Sequence, residues 1–179
     1  MPSNMKKYLI TAVTLGLIAA GGALLIAGTN MLTKDRIAAN EVERINKGFK
    51  TIYGVDELSY NTFTIEGSFE YVNSSYYEIN DKNDVSLGFA FRTEGYNSYG
   101  KITLIVGFTS EYTYKGLSVV ANEQSFASTL NKKYLDPLME GERELDDVSC
   151  GATYGAKLVR DMVNEAKSAA ESLKGVKNG

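Results

Sequence analysis

The chain has 179 residues, a net charge of −3, no histidine and a single cysteine, Cys150. Those absences exclude Cys/His zinc sites, cysteine-ligated iron–sulfur clusters, histidine-based triads and an internal disulfide. So slight a charge gives no grip on a polyanion, so no nucleic-acid partner is expected; any redox work must use a borrowed cofactor.

From Tyr8 to Thr33 no residue is charged. At about 1.5 Å per residue the stretch is long enough to cross a hydrocarbon core of roughly 30 Å. Residues 1–33 therefore read as a short N-terminus and one transmembrane helix. Lys6 and Lys7 precede the span, which points to a cytoplasmic N-terminus with the rest of the chain on the extracellular or periplasmic side. Lys34 and Arg36 on the other flank weigh against that orientation, and Asp35 offsets them. A cleaved signal peptide is the rival reading. The apolar stretch is about twice the usual length for one, and a small-residue cleavage site is hard to find near its end. No cysteine follows that could carry a lipid anchor. Ala12, Gly16, Ala20, Ala23 and Ala27 fall three or four apart. They read either as a ridge for a neighbouring helix or as the ordinary small-residue content of membrane helices.

Residues 34–56 read as a juxtamembrane helix or stalk, with Ile37, Val42, Ile45, Phe49 and Ile52 at helical spacing. Residues 57–179 read as one α+β domain with an antiparallel sheet and flanking helices. Its strands are expected at 62–65, 69–72, 76–79, 87–91, 101–108 and 116–121, with a loop over 95–100. Residues 124–136 read as partly helical, and Pro137 as a break. A helix is expected from about Gly151 to Lys174, with Leu158, Met162, Ala166, Ala169 and Leu173 as its apolar stripe and Arg160, Asp161, Glu165 and Lys167 off that stripe.

Just before that last helix stands Asp147-Val148-Ser149-Cys150-Gly151-Ala152-Thr153. A helix start offers unpaired N–H groups and a partly positive end, which suit a phosphate. Gly151 permits close approach, Ala152 keeps the site uncrowded, Thr153 offers a hydroxyl, and Lys157 lies one turn on. The plainer reading makes Ser149 or Thr153 a helix cap, Gly151 a turn and Cys150 a packing thiol.

The segment resembles the D-x-x-[ST]-G-A-[ST] motif at which a flavin transferase esterifies FMN, through its phosphate, onto the last hydroxyl. With Thr29 to Ala38 after the anchor, Gly95 to Ile102 and Gly116 to Glu123, the whole chain resembles the G subunit of the Rnf electron-transport complex. More distantly it resembles the C subunit of the sodium-pumping NADH:quinone reductase. The resemblance implies covalent FMN on Thr153, with Cys150, Gly151 and Ala152 around the attachment point and Asp147 recognised by the transferase. It implies Glu123 and Gln124 near the flavin and Lys157 beside the phosphate. It further implies electron relay within an ion-translocating ferredoxin:NAD oxidoreductase, alongside other membrane subunits and without catalytic residues of its own. Three departures stand out. Cys150 replaces Ser or Thr; Gly155 stands where Ser or Thr often follows; and Glu123-Gln124-Ser125-Phe126 lacks the Pro and Gly residues of the family's flavin-side loop. The alternatives are another membrane electron-transfer system, a cofactor-free anchored binding module, and a pilin-like subunit. The last lacks its usual early glutamate here.

Overall fold

The computed structural model describes residues 3–177. The fold is α+β, with elements in the order α1 (Ser3–Tyr53), β1 (Leu58–Thr64), β2 (Val72–Asp81), β3 (Ser86–Asn97), β4 (Gly100–Phe108), β5 (Tyr114–Asn122), α2 (Ala127–Leu130), a π-helical turn (Asn131–Leu135), α3 (Asp136–Met139) and α4 (Thr153–Lys177). The chain forms two compact units, Met1–Glu43 and Arg44–Gly179.

The first unit holds the apolar part of α1. Met5–Thr29 is long and apolar enough to cross a membrane, and none of it is buried. Thr11, Thr14, Thr29 and Thr33 turn their hydroxyls back onto the carbonyls four residues earlier, so these four polar groups are satisfied within their own helix. In the junction 29–38, the side chains of Asn30, Met31, Leu32, Asp35 and Ala38 lie outside the described residues.

The second unit is built on a five-stranded antiparallel meander, β1-β2-β3-β4-β5. Strand alternation sends side chains to two faces, and each face is covered by helix. Phe89, Phe91, Ile102, Leu104, Val106, Phe108 and Leu117 pack with Leu130 and Tyr134 and with the stripe Leu158, Met162, Ala166, Ala169 of α4. Ala90, Ile105, Ile79 and Val120 pack on the other face against Ile45, Phe49 and Tyr53 of α1. Two glycines let the helices approach. A Cβ on Gly95 would lie 2.8 Å from Leu158 Cδ1, and one on Gly107 would lie 2.5 Å from Ile52 Cγ2. The hydroxyl of Tyr53 lies 2.6 Å from Phe89 O and 3.0 Å from Phe108 O, which locks the end of α1 to two neighbouring strands.

Several expected boundaries move. Residues 69–71 are not a strand. There the N–H groups of Glu70 and Tyr71 donate to the two carboxylate oxygens of Glu165 on α4, at 2.5 and 2.6 Å, so the ladder partner is a side chain. Glu165 is half-buried there. The loop expected over 95–100 shrinks to Ser98-Tyr99, because Gly95, Tyr96 and Asn97 pair with Ile102, Lys101 and Gly100. Pro137 does not end a helix: it sits in the first turn of α3, where a missing N–H costs little. The last helix begins at Thr153, two residues later than Gly151.

Candidate functional site

The first intrahelical bond of α4 runs from Ala156 N–H to Ala152 O at 3.1 Å. The N–H groups of Thr153, Tyr154 and Gly155 thus precede the point where the helix can supply its own carbonyls. The preceding turn needs glycine: Gly151 has φ of +82°, a left-handed conformation that a β-carbon disfavours. Cys150 and Ala152 are buried on either side of it, and Thr153 is partly exposed.

Thr153 opens onto a cleft of about 320 Å³ lined by Tyr99, Gln124, Phe126, Gly151, Ala152, Thr153, Tyr154 and Gly155. The cleft joins three elements that are distant in sequence: the β3–β4 turn, the segment after β5, and the start of α4. Three aromatic rings surround it. Tyr99 and Phe126 meet edge-on with centroids 5.6 Å apart, and Tyr99 and Tyr154 lie 5.7 Å apart with planes inclined by 35°. All three remain exposed to solvent, Tyr154 most of all at 65 %. No carboxylate lines the cleft, so nothing in its wall repels an anion.

Gln124 is the buried polar residue of the site, at 7 % exposure. Its Nε2 donates to Asn97 Oδ1 at 2.8 Å and to Gly100 O at 3.1 Å. Asn97 in turn donates through Nδ2 to Tyr154 O at 3.2 Å and accepts from Tyr99 N–H at 2.8 Å. These bonds tie the hairpin tip, the segment after β5 and the first turn of α4 into one network. Gly155 belongs to it sterically. A Cβ there would lie 2.5 Å from Gln124 Oε1 and 2.7 Å from Leu130 Cδ2. The glycine at this motif position is therefore matched to the glutamine that replaces the expected loop.

Arg143 holds the loop in front of Thr153. Its guanidinium donates to Asp147 O at 2.8 Å and Ser149 O at 2.8 Å, and pairs with the Asp147 carboxylate at 2.9 Å. It also donates to Lys133 O, the carbonyl four residues before Pro137, where proline brings no N–H. One fork-shaped cation thus clamps the π-helical turn to the motif loop.

The structure brings Cys150, Gly151, Ala152, Thr153 and Gln124 to one place, with the Cys150 thiol buried beneath the turn. It does not bring all the expected residues there. Glu123 is exposed and outside the cleft wall, where only its backbone carbonyl approaches Gly100. Lys157 is exposed on α4 and also outside the wall. Asp147 is exposed in the loop, facing Arg143. Sequence reasoning missed Tyr99, Phe126, Tyr154, Asn97 and Arg143. The aromatic residues carry no mutual spacing that marks them as neighbours; Arg143, four residues before Asp147, was the one readable signal.

A helix long enough to span a membrane, joined to an α+β unit, defines a candidate membrane-anchored protein. Residues 1–52 match the family model of the RnfG N-terminal region, a segment that lies within or beside α1 and stops short of the sheet, α4 and the cleft. Over that segment the chain is similar to the RnfG family, which supports a subunit of an Rnf electron-transport complex. No curated protein matches the chain.

Proposed function

We propose that this chain is a membrane-anchored flavoprotein subunit that carries FMN covalently, by a phosphoester on Thr153, and relays electrons within an Rnf-type ion-translocating ferredoxin:NAD oxidoreductase. The observation that carries the reading is the placement of the Thr153 hydroxyl at the first residue of α4, in a cleft walled by aromatic rings, on a chain whose N-terminal segment is of RnfG type.

The residues present fit such a group. The three N–H groups at the start of α4 offer donors for a phosphate, and the helix dipole favours negative charge there. Gly151 makes the left-handed turn that precedes Thr153, which is itself partly exposed. Tyr99, Phe126 and Tyr154 offer faces and edges for a flat ring system. Gln124 and Asn97 fix the positions of those walls. When bound, FMN supplies reversible electron transfer. Arg143 holds the loop that carries Asp147, the exposed residue this reading assigns to recognition by the transferase. The N-terminus is assigned to the cytoplasmic side from Lys6 and Lys7, which sets the second unit on the opposite side. A covalent link would keep the carrier on the protein there.

Intact-mass analysis of the chain matured in cells that contain the flavin transferase tests the reading. The expected mass is that of the chain plus one FMN less one water. Thr153→Ala is expected to lose the addition and Thr153→Ser to keep it. An unmodified wild-type mass would overturn the assignment.

A further inference from the structure

We propose that a second cavity, beside the last turns of α4, binds a small organic cation: an ammonium carried on an apolar body. It encloses about 320 Å³ and reaches Ser172 and Leu173, roughly 28 Å along the helix from Thr153 at about 1.5 Å per residue. It shares no lining residue with the Thr153 cleft.

Three aromatic rings wall it: Tyr76 on β2, Phe89 on β3, and Tyr112 in the turn between β4 and β5. Their centroids are 6.2 Å apart for Tyr76–Phe89, which meet edge to face, and 5.2 Å for Phe89–Tyr112, which are tilted, so the three rings form one aromatic cluster at the cavity wall. Tyr112 is held there against its backbone preference. Its φ is +64°, unusual for a bulky side chain, and the turn is pinned by Tyr112 N–H donating to Thr109 O at 3.0 Å.

The charge of the wall is one-sided. Glu78 stands two residues along β2 from Tyr76, on the same face, and opposite Phe89 in the β2–β3 register. It is half-buried, and among the described residues it makes no hydrogen bond or ion pair. Glu66 adds a second carboxylate, and neither lysine nor arginine lines the cavity. An unpaired carboxylate beside aromatic faces favours a cation twice over, through its own charge and through the ring quadrupoles. Ile65 and Leu173 provide apolar contact for the remainder of such a ligand.

The test titrates the full chain, in a non-ionic detergent, with benzyltrimethylammonium and with its neutral carbon isostere neopentylbenzene, followed by saturation-transfer NMR. The cation is expected to saturate and to bind at least about tenfold more tightly than the isostere, a gap equal to about 1.4 kcal/mol. Glu78→Gln is expected to weaken the cation about tenfold while leaving the tyrosine circular dichroism unchanged; Tyr112→Leu, which keeps an apolar wall without the π-face, is expected to weaken it as well. Thr153→Ala is expected to bind like wild type. Absence of saturable binding, or equal affinity for the neutral isostere, overturns the proposal irrespective of how either variant folds.

Discussion

Gly155→Ala puts the geometry of the Thr153 cleft to a direct test. The new methyl would stand 2.5 Å from Gln124 Oε1 and 2.7 Å from Leu130 Cδ2, and both neighbours are buried. Gln124 cannot move without giving up its bonds to Asn97 Oδ1 and Gly100 O. Those two bonds contribute about 0.5–1.5 kcal/mol each, and displacing Leu130 adds an overpacking cost of about 1–3 kcal/mol. Alanine returns at most about 1 kcal/mol of helix propensity. The expected net loss is about 1–5 kcal/mol, centred near about 3 kcal/mol, a fall in Tm of roughly 10 °C at the centre of that range for a unit of this size. Thermal unfolding followed by tyrosine near-UV circular dichroism reads it. Gln124→Ala alone leaves its acceptors short of a donor and also destabilises. In the Gln124→Ala/Gly155→Ala double variant the first clash is gone, so the combined loss should fall short of the sum of the singles by about 1 kcal/mol. A Gly155→Ala protein as stable as wild type, or strict additivity, would refute the argument that Gly155 is matched to Gln124.

Arg143→Ala should raise hydrogen exchange across residues 144–150 and destabilise the unit by about 1–3 kcal/mol, since it removes charge-assisted bonds to three carbonyls and a carboxylate. Arg143→Lys should not restore protection, because an ammonium cannot fork; unchanged exchange in Arg143→Ala would sink the clamp. Alkaline pH should also unfold the protein. Burial raises the hydroxyl of Tyr114 to about 12 and moves that of Tyr53 upward too, from an ordinary value of 10.0. A folded-state pKa above the unfolded one means stability is intact below about pH 10 and falls as pH climbs toward the folded value. Urea midpoints should be flat up to about pH 9.5 and then drop, with a shallower slope in Tyr114→Phe; an equal slope in that variant would contradict the burial argument.

Patterns of local period were readable along the chain. The uncharged N-terminal stretch, the β-rich middle and the stripe Leu158, Met162, Ala166, Ala169 each follow from hydropathy alone, because a helix and a strand repeat at different intervals. The motif ending in Thr153 was readable for the same reason, since a glycine, a hydroxyl and an ensuing amphipathic run are all local. Strand ends were less so. Residues 69–71 carry a strand-like pattern, but their N–H groups are taken by Glu165 from the far end of the chain. Gly95 to Asn97 look like turn residues, yet pair in the ladder because Gly95 makes room for Leu158 and Met162.

What the sequence determined by itself is therefore the order of apolar helix, β-rich middle and amphipathic last helix, with a hydroxyl at the head of that helix. Only the tertiary structure decided which side chains surround it: Tyr99, Phe126 and Tyr154 as walls, Gln124 inside, and Glu123 and Lys157 outside. The reason is physical. Local periodicity reports which face of an element is apolar, whereas a cleft is made where three separate segments end side by side, and their meeting is set by long-range packing that no local pattern records.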